Sequence, residues 1–395
     1  MPLKSKRKIA IIGSGPAGLM AAFVAAQAGC AVTIFEKKTG PGRKLLIAGS
    51  SGLNITYDCP HGEFVDHYAG PRERFDRMLR EFSPADWIEF IEGLGIKTFK
   101  GTSRRYFVEG MKASVLLRAW LGALQKLGAS IEYSRECVGF ECGAEGRVSL
   151  KFADGSLSDG DAVCFALGGA SYEPRETPLR WPGFFREKGL AFREFESSNV
   201  GYQVAWPKPL LEEAEGKPIK NVVLSSSRGS RSGDLVITSY GIEGTPVYFA
   251  GKTGTVFLDL KPDLTEAQLR KKLTLTKENL SPLRRVKRFL NMSEAALALL
   301  FHMTSAERLS SLDLLIEDLK HYPLVLQAKQ PLTEAISSLG GIEWSEVDEQ
   351  LMLKRFPSVF VAGEMLDWDA PTGGFLIQGC VSLGRLAGHG LVNGN

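Results

Sequence analysis

Residues 8–36 read KIAIIGSGPAGLMAAFVAAQAGCAVTIFE. Residues 8–12 form a short β-branched apolar run, residues 15–28 a small-residue helical segment closed by Gly29, and residues 31–35 a second apolar run. Together they read as one strand-helix-strand unit. Between the first strand and the helix stands Gly13-Ser14-Gly15-Pro16-Ala17-Gly18, a complete G-x-G-x-x-G in the context that gives the motif meaning. Gly13 allows the tight turn, Gly15 lets the backbone approach a pyrophosphate, and Gly18 permits close packing of helix on sheet. The helix N-terminus supplies free N–H groups and a partial positive charge. Glu36 ends the second strand, where an acceptor for the adenosine ribose is expected and a 2′-phosphate would be repelled. The motif therefore announces an α/β fold of Rossmann type with an adenine dinucleotide. It leaves FAD and NAD both open, because they share that half.

The rest of the chain narrows the class. With 395 residues, 44% hydrophobic and 24% charged, it has the composition of an ordinary globular protein of two or three domains. A net charge of +3 from 48 basic and 45 acidic residues is too balanced for a polyanion-binding molecule as a whole. Apolar stretches such as 19–26 and 297–301 fall short of the ~20 residues of a membrane-spanning helix, so no span is expected. The basic start, Lys4, Lys6, Arg7 and Lys8, is followed by an apolar run too short and too glycine-interrupted for a secretion signal. Six cysteines without a CxxC pair, with Cys30 and Cys164 in apolar text, suit a reducing, cytoplasmic setting. The five histidines show no metal-ligand spacing, so no metal is expected. Absence of GxSxG, Walker A and HExxH patterns argues against nucleophilic hydrolysis and nucleoside-triphosphate chemistry.

Ser83, Pro84 and Asp86 predict a helix start, and a further helix is expected over 112–127. Residues 130–169 turn strand-like, a β-meander returning to the parallel sheet. The proline-rich residues 174–182 mark an exit from the first domain. The expected domains are a Rossmann-type unit, 1–190 plus 332–395, interrupted by a β-rich module over 191–262 and a helical module over 263–331 with Thr265 as an N-cap. A strand over 358–362 and a helix over 374–390 close the chain.

Four segments then resemble the YhiN/BaiN-like family of FAD-dependent oxidoreductases, within the two-dinucleotide-binding flavoproteins. The first, residues 40–56, reads GPGRKLLIAGSSGLNIT and is similar to the family's GRKLLxSGGGRCNxTN. The second spans 163–171. The third, residues 237–244, is similar to FTxxGxSGP. The fourth joins 335–341 with 359–367 and Thr372-Gly373-Gly374-Phe375. The resemblance implies FAD, with Glu364 reaching the ribityl and phosphate region and the turn at Gly373 and Gly374 opening a helix whose N–H groups face the flavin N1 and C2 carbonyl. Arg43 and Lys44 fall near the pyrophosphate and flavin, and Asn54 at the isoalloxazine edge. The cofactor-binding set implied is Gly13, Ser14, Gly15, Pro16, Ala17, Gly18, Glu36, Lys37, Arg43, Lys44, Asn54, Val138, Ala166, Gly168, Gly363, Glu364, Gly373, Gly374 and Phe375. Two departures stand out. The family's Gly-Arg-Cys-Asn is Ser51-Gly52-Leu53-Asn54 here, removing an arginine and a cysteine, and Ser-Gly-Pro becomes Glu243-Gly244-Thr245-Pro246.

Asp367 and Asp369 read as helix caps or proton relays, and Cys380 as a packed thiol or a redox partner of the flavin. Residues 270–288 carry eight basic side chains against the single acid Glu278. They read as a solvated face of a peripheral helical module, with binding of the phosphates of a nucleotide-linked substrate or of an RNA backbone the alternative. The expectation is an FAD-dependent oxidoreductase, reduced by transiently bound NADH or NADPH and passing hydride to an unsaturated small-molecule substrate. An FAD-containing RNA-modifying protein using residues 270–288 and a flavin sensor without turnover are the alternatives.

Overall fold

β1 (Lys8–Ile12) is the centre of a five-stranded parallel sheet. On one side it pairs with β2 (Ala31–Glu36), which pairs with Ser130–Tyr133. On the other it pairs with Ala162–Phe165, which pairs with Val359–Val361. The chain thus leaves β1 in one direction and returns to its opposite edge, the switch point at which doubly wound sheets place their ligands. Strand residues Ile9, Ile11, Val32, Ile34, Val163 and Val361 are all buried, as a sheet covered on both faces requires. The structure is a computed structural model describing residues 6–49, 52–143, 146–173, 179–275 and 280–394. Lys4, the altered Ser51, Pro174 and Pro178, and Lys277 with Glu278 lie outside these.

Two compact units result, one of residues 1–196 with 337–395, the other of Ser197–Ile336. In the first, α1 (Pro16–Gln27) packs along the helix Phe375–Asn393. A Cβ on Gly384 would lie 2.2 Å from the Ala17 carbonyl oxygen, and one on Gly388 would lie 2.7 Å from the Val24 Cβ. The C-terminal helix is long and apolar enough to cross a membrane by length and composition, yet most of it is buried in this unit. The helix start at Ser83 closes through a capping box, with Asp86 accepting from the Ser83 N–H at 2.7 Å. The expected helix over 112–127 spans Ala113–Lys126.

The strand-rich stretch after residue 130 divides. Ser130–Tyr133 joins the parallel sheet, whereas Cys137–Cys142, Val148–Phe152 and Leu157–Gly160 form a separate antiparallel meander before Ala162–Phe165 re-enters beside β1. Another small sheet, β3 (Asn54–Tyr57) with Arg105–Val108 and Thr98–Lys100, packs against the C-terminal helix.

In the second unit six antiparallel strands run in the order Tyr202–Gln203, Gly241–Glu243, Gly229–Thr238, Pro218–Ser226, Gly254–Asp259 and Tyr322–Leu326. The helices after Asp263 do not form a core of their own. Leu269, Leu273, Leu299, Leu315 and Ile316 bury against Leu224, Leu235 and Leu258 of the sheet, so both inserted stretches share one core. Thr265 caps Glu266–Thr274, with Gln268 returning the bond to its N–H at 2.8 Å.

Interiors packed to crystal density leave no slack where the C-terminal helix meets the α1 backbone. Gly384→Ala is therefore expected to destabilise the protein by about 1–3 kcal/mol, read as a lowered denaturant midpoint of the first unit. An unchanged midpoint would contradict this packing.

Candidate functional site

The C-terminal ends of four adjacent strands open onto one cleft of about 1010 Å³, including the space open to solvent. Gly13 to Ala17 follow β1, Glu36 to Lys38 follow β2, Ala166 to Gly168 follow Ala162–Phe165, and Ala362 to Glu364 follow Val359–Val361. Arg43 and Lys44 reach it from α2 (Arg43–Ala48). Of the implied set, Gly13 to Ala17, Glu36, Lys37, Arg43, Lys44, Ala166, Gly168, Gly363 and Glu364 line this cleft. Gly18 lies behind it, its missing Cβ making room for the Gly13 carbonyl. Asn54, Val138, Gly373, Gly374 and Phe375 are not among the lining residues.

Glu36 is held by its own neighbourhood. The Ser14 N–H donates to its Oε2 at 3.1 Å, the Ser14 hydroxyl donates to the same oxygen, and the Lys38 N–H donates to Oε1 at 2.9 Å. An ionised carboxylate offers about four acceptor positions. Three are taken by the loop, and the remaining capacity suits a ribose hydroxyl. At Gly15 a Cβ would meet nothing within 4 Å, the open approach a pyrophosphate needs.

Three cations of the cleft are engaged. Lys44 Nζ donates to the Gly169 carbonyl at 2.7 Å, and Lys37 pairs with Glu173 at 3.2 Å. Burial pushes the Lys44 ammonium below the usual lysine range, and Glu364 and Glu173 oppose that. Burial likewise pushes the Glu364 carboxyl up, with Lys44 opposing and Asp369 reinforcing. Arg135, which the motifs do not single out, lines the same cleft. It pairs with Asp154 at 2.6 Å and stacks its guanidinium on Phe152 at 4.2 Å. Cys380 is buried, and desolvation holds its thiol well above the ordinary range.

A second polar cluster lies where β3 meets the start of the C-terminal helix. Gly374 adopts φ 107°, and a Cβ on it would fall 2.6 Å from the Thr56 Cα, so only glycine lets the chain cross the strand there. Gly373, also at positive φ, lies against Arg105. The buried Asn54 Oδ1 and Thr56 Oγ1 have no hydrogen-bond partner among the described residues. Phe375 turns away into an aromatic cluster with Tyr57, Phe64, His67 and Tyr68. Gln378 is fully buried and donates to the Phe82 carbonyl at 3.3 Å. Asp369 accepts from Ser337 at 2.9 Å, and Asp367 lies 3.7 Å from Arg193. Cys59, Glu63 and His67 bring three ligand atoms within 4.8 Å of one another, a grouping the histidine spacing does not reveal. Arg104, 3.8 Å from Glu63, competes for that carboxylate.

The description "HI0933-like protein Rossmann domain" matches residues 7–390. The chain belongs to the HI0933-like family. Its first unit is a Rossmann-type FAD-binding domain, and the protein is a flavoprotein with an oxidoreductase fold. Among relatives, ribosomal RNA dihydrouridine synthase of Escherichia coli K12 is 22% identical over 401 residues, 93% of this chain and 94% of that protein. Thiamine thiazole synthase of Pyrococcus abyssi is 32% identical over 92 residues, 23% of this chain and 35% of that one. Among solved structures, 3-ketosteroid-Δ4-(5α)-dehydrogenase of Rhodococcus jostii RHA1 aligns over 100% of this chain and 98% of its own, with TM-score 0.52 and 14% identity. The 3-ketosteroid Δ1-dehydrogenase of Sterolibacterium denitrificans aligns with TM-score 0.55 and 10% identity, over 98% of this chain and 100% of its own. At these identities the structures share the fold alone.

The residues present fit FAD. The open face of Gly15 and the spare acceptor on Glu36 suit its adenosine diphosphate half, and the orphaned oxygens of Asn54 and Thr56 suit a ring rich in donors and acceptors. Gly15→Ala should leave the thermal midpoint nearly unchanged, since a Cβ there meets no protein atom within 4 Å. It should weaken FAD binding by at least about tenfold, about 1.4 kcal/mol, in a flavin fluorescence titration. Retained affinity would move the pyrophosphate elsewhere.

Proposed function

We propose that this protein is an FAD-dependent reductase that takes hydride from NADH or NADPH and delivers it to a carbon-carbon double bond conjugated with a carbonyl. The observation that carries the reading is the approach of the C-terminal helix N-terminus, through Gly373 and Gly374, to β3 in the unit that also holds the dinucleotide cleft. Bound FAD supplies two-electron hydride chemistry. The protein contributes binding and electrostatics. Ser14, Gly15 and Glu36 anchor the adenosine half, Lys44 and Glu364 line the same cleft, and the helix N-terminus offers N–H groups to developing negative charge.

Anaerobic mixing with NADH or NADPH is expected to bleach the flavin absorbance. A conjugated enone added afterwards should restore it, with one equivalent of saturated ketone formed. A flavin that stays oxidised with both nicotinamides would overturn the reductase reading and favour a sensor without turnover.

A second reading makes the double bond that of a uracil in RNA. Dihydrouridine is uridine with two hydrogens added across a ring double bond conjugated to a carbonyl, so the E. coli relative's name falls within the same reaction class. The basic stretch supports it in part. Arg270 pairs with Asp313, and Arg285 is spent on the Leu280 and Leu273 carbonyls, but Lys271, Lys272, Arg284 and Lys287 remain exposed on the helices of the second unit. Reversing those four charges should flatten the salt dependence of RNA affinity, by roughly 0.7 to 0.9 in log-log slope for each phosphate no longer neutralised. RNA binding that is negligible or unaffected would remove this reading.

A further inference from the structure

We propose that Arg105 is the cation that binds the pyrimidine edge of the flavin and stabilises negative charge there, an inference that rests on the FAD reading above. Arg105 opens the middle strand of the small sheet and sits opposite Tyr57 of β3, its carbonyl accepting from the Gly101 N–H at 2.8 Å. The backbone that carries it is thereby held from both sides. A Cβ on Gly373 would lie 3.2 Å from Arg105 Nε and 3.8 Å from its Cζ and Nη2, so the guanidinium lies directly against the turn that precedes the C-terminal helix.

This arginine has no counter-charge within ion-pair distance among the described residues. It is partly buried, and among the described residues it pairs with no carboxylate and donates to no carbonyl. Its neighbour Arg104 is exposed, lies 3.8 Å from Glu63 and stacks over Tyr57 at 5.7 Å. In the adenosine cleft Lys37, Lys44 and Arg135 each have an acceptor, and Arg43, which has none among the described residues, is exposed. A guanidinium does not deprotonate in a protein, so a partly desolvated one without a partner favours an anion. Two further features converge on the same place. The helix Phe375–Asn393 directs its free N–H groups and partial positive charge toward the turn. Thr56, fully buried and in backbone contact with Gly374, carries a hydroxyl oxygen with no partner among the described residues. A planar group whose N1 and C2 carbonyl gain negative charge on reduction answers all three, because charge near N1 is one of the means by which a protein tunes a flavin.

Sulfite tests this without substrate turnover. It adds to N5 of oxidised flavin, forming an N–S bond and leaving the electron pair as negative charge on the N1–C2 edge. The wild-type holoprotein should form this adduct, and Arg105→Gln should retain FAD while weakening sulfite binding by about ten- to a hundredfold, the worth of a charge-assisted hydrogen bond. Arg105→Lys, which keeps the charge but not the planar fork, should fall between. Arg104→Gln should match wild type. Wild-type flavin that forms no adduct, an Arg105→Gln holoprotein with unchanged sulfite affinity, or equal losses in the Arg104 and Arg105 variants would each overturn the assignment. If Arg105→Gln releases its flavin, Arg105→Lys decides by the same criterion. Failure of the wild-type protein to bind FAD at all would instead sink the reading on which the inference rests.

Discussion

The cofactor end of the molecule depends on how closely the C-terminal helix approaches α1. Gly384 and Gly388 let its backbone settle against Ala17, Ala21 and Val24, where any larger side chain would strike a carbonyl or a Cβ. That contact sets the position of the whole helix, and with it the turn at Gly373 and Gly374 against β3. It also brings Gly363 to within van der Waals reach of α1, since a Cβ there would lie 2.9 Å from the Ala17 Cβ. Two ends of the chain become one binding structure because two helices can approach at glycine distance.

Charge is distributed around that scaffold unevenly. Lys44 and Glu364 are each pushed toward neutrality by burial, and the charge of each opposes that shift in the other. Arg135 is steadied differently, by Asp154 and by the ring faces of Phe35 and Phe152. These groups make the cleft a preorganised polar surface. The cluster at β3, with its orphaned oxygens, is left with polar capacity that the described protein atoms do not satisfy.

Local signals were legible in the sequence. The capping boxes at Ser83 and Thr265 are bonds between residues three apart, so the residue types name them. The parallel strands were legible as apolar runs, and so was the meander that returns to them at Ala162–Phe165, whereas the place of Ser130–Tyr133 in the parallel sheet was not, because an edge strand and a meander strand share the same short alternating text. The β-rich and helical inserts differ in period yet share one core, a fact of burial that periodicity does not carry. Thr98–Lys100 and Arg105–Val108 escaped altogether. They are three and four residues long and owe their existence to pairing with each other and with β3. Arg105 was missed with them.

By itself the sequence determined the dinucleotide half of the site. Turn, helix N-terminus and acceptor all lie between Lys8 and Glu36, and their chemistry follows from backbone geometry that glycines and a strand-ending acid dictate locally. The flavin half was named there only through resemblance. The cluster proposed for that half is built by tertiary structure, in which residues as distant as Tyr68 and Phe375, 307 positions apart, meet through a hydrogen bond of 2.8 Å. The same approach carries Gly373 to Arg105 and Gly374 to Thr56. No local pattern encodes such meetings, because their register is set by the packing of whole helices and sheets, and that packing exists only once the chain has closed on itself.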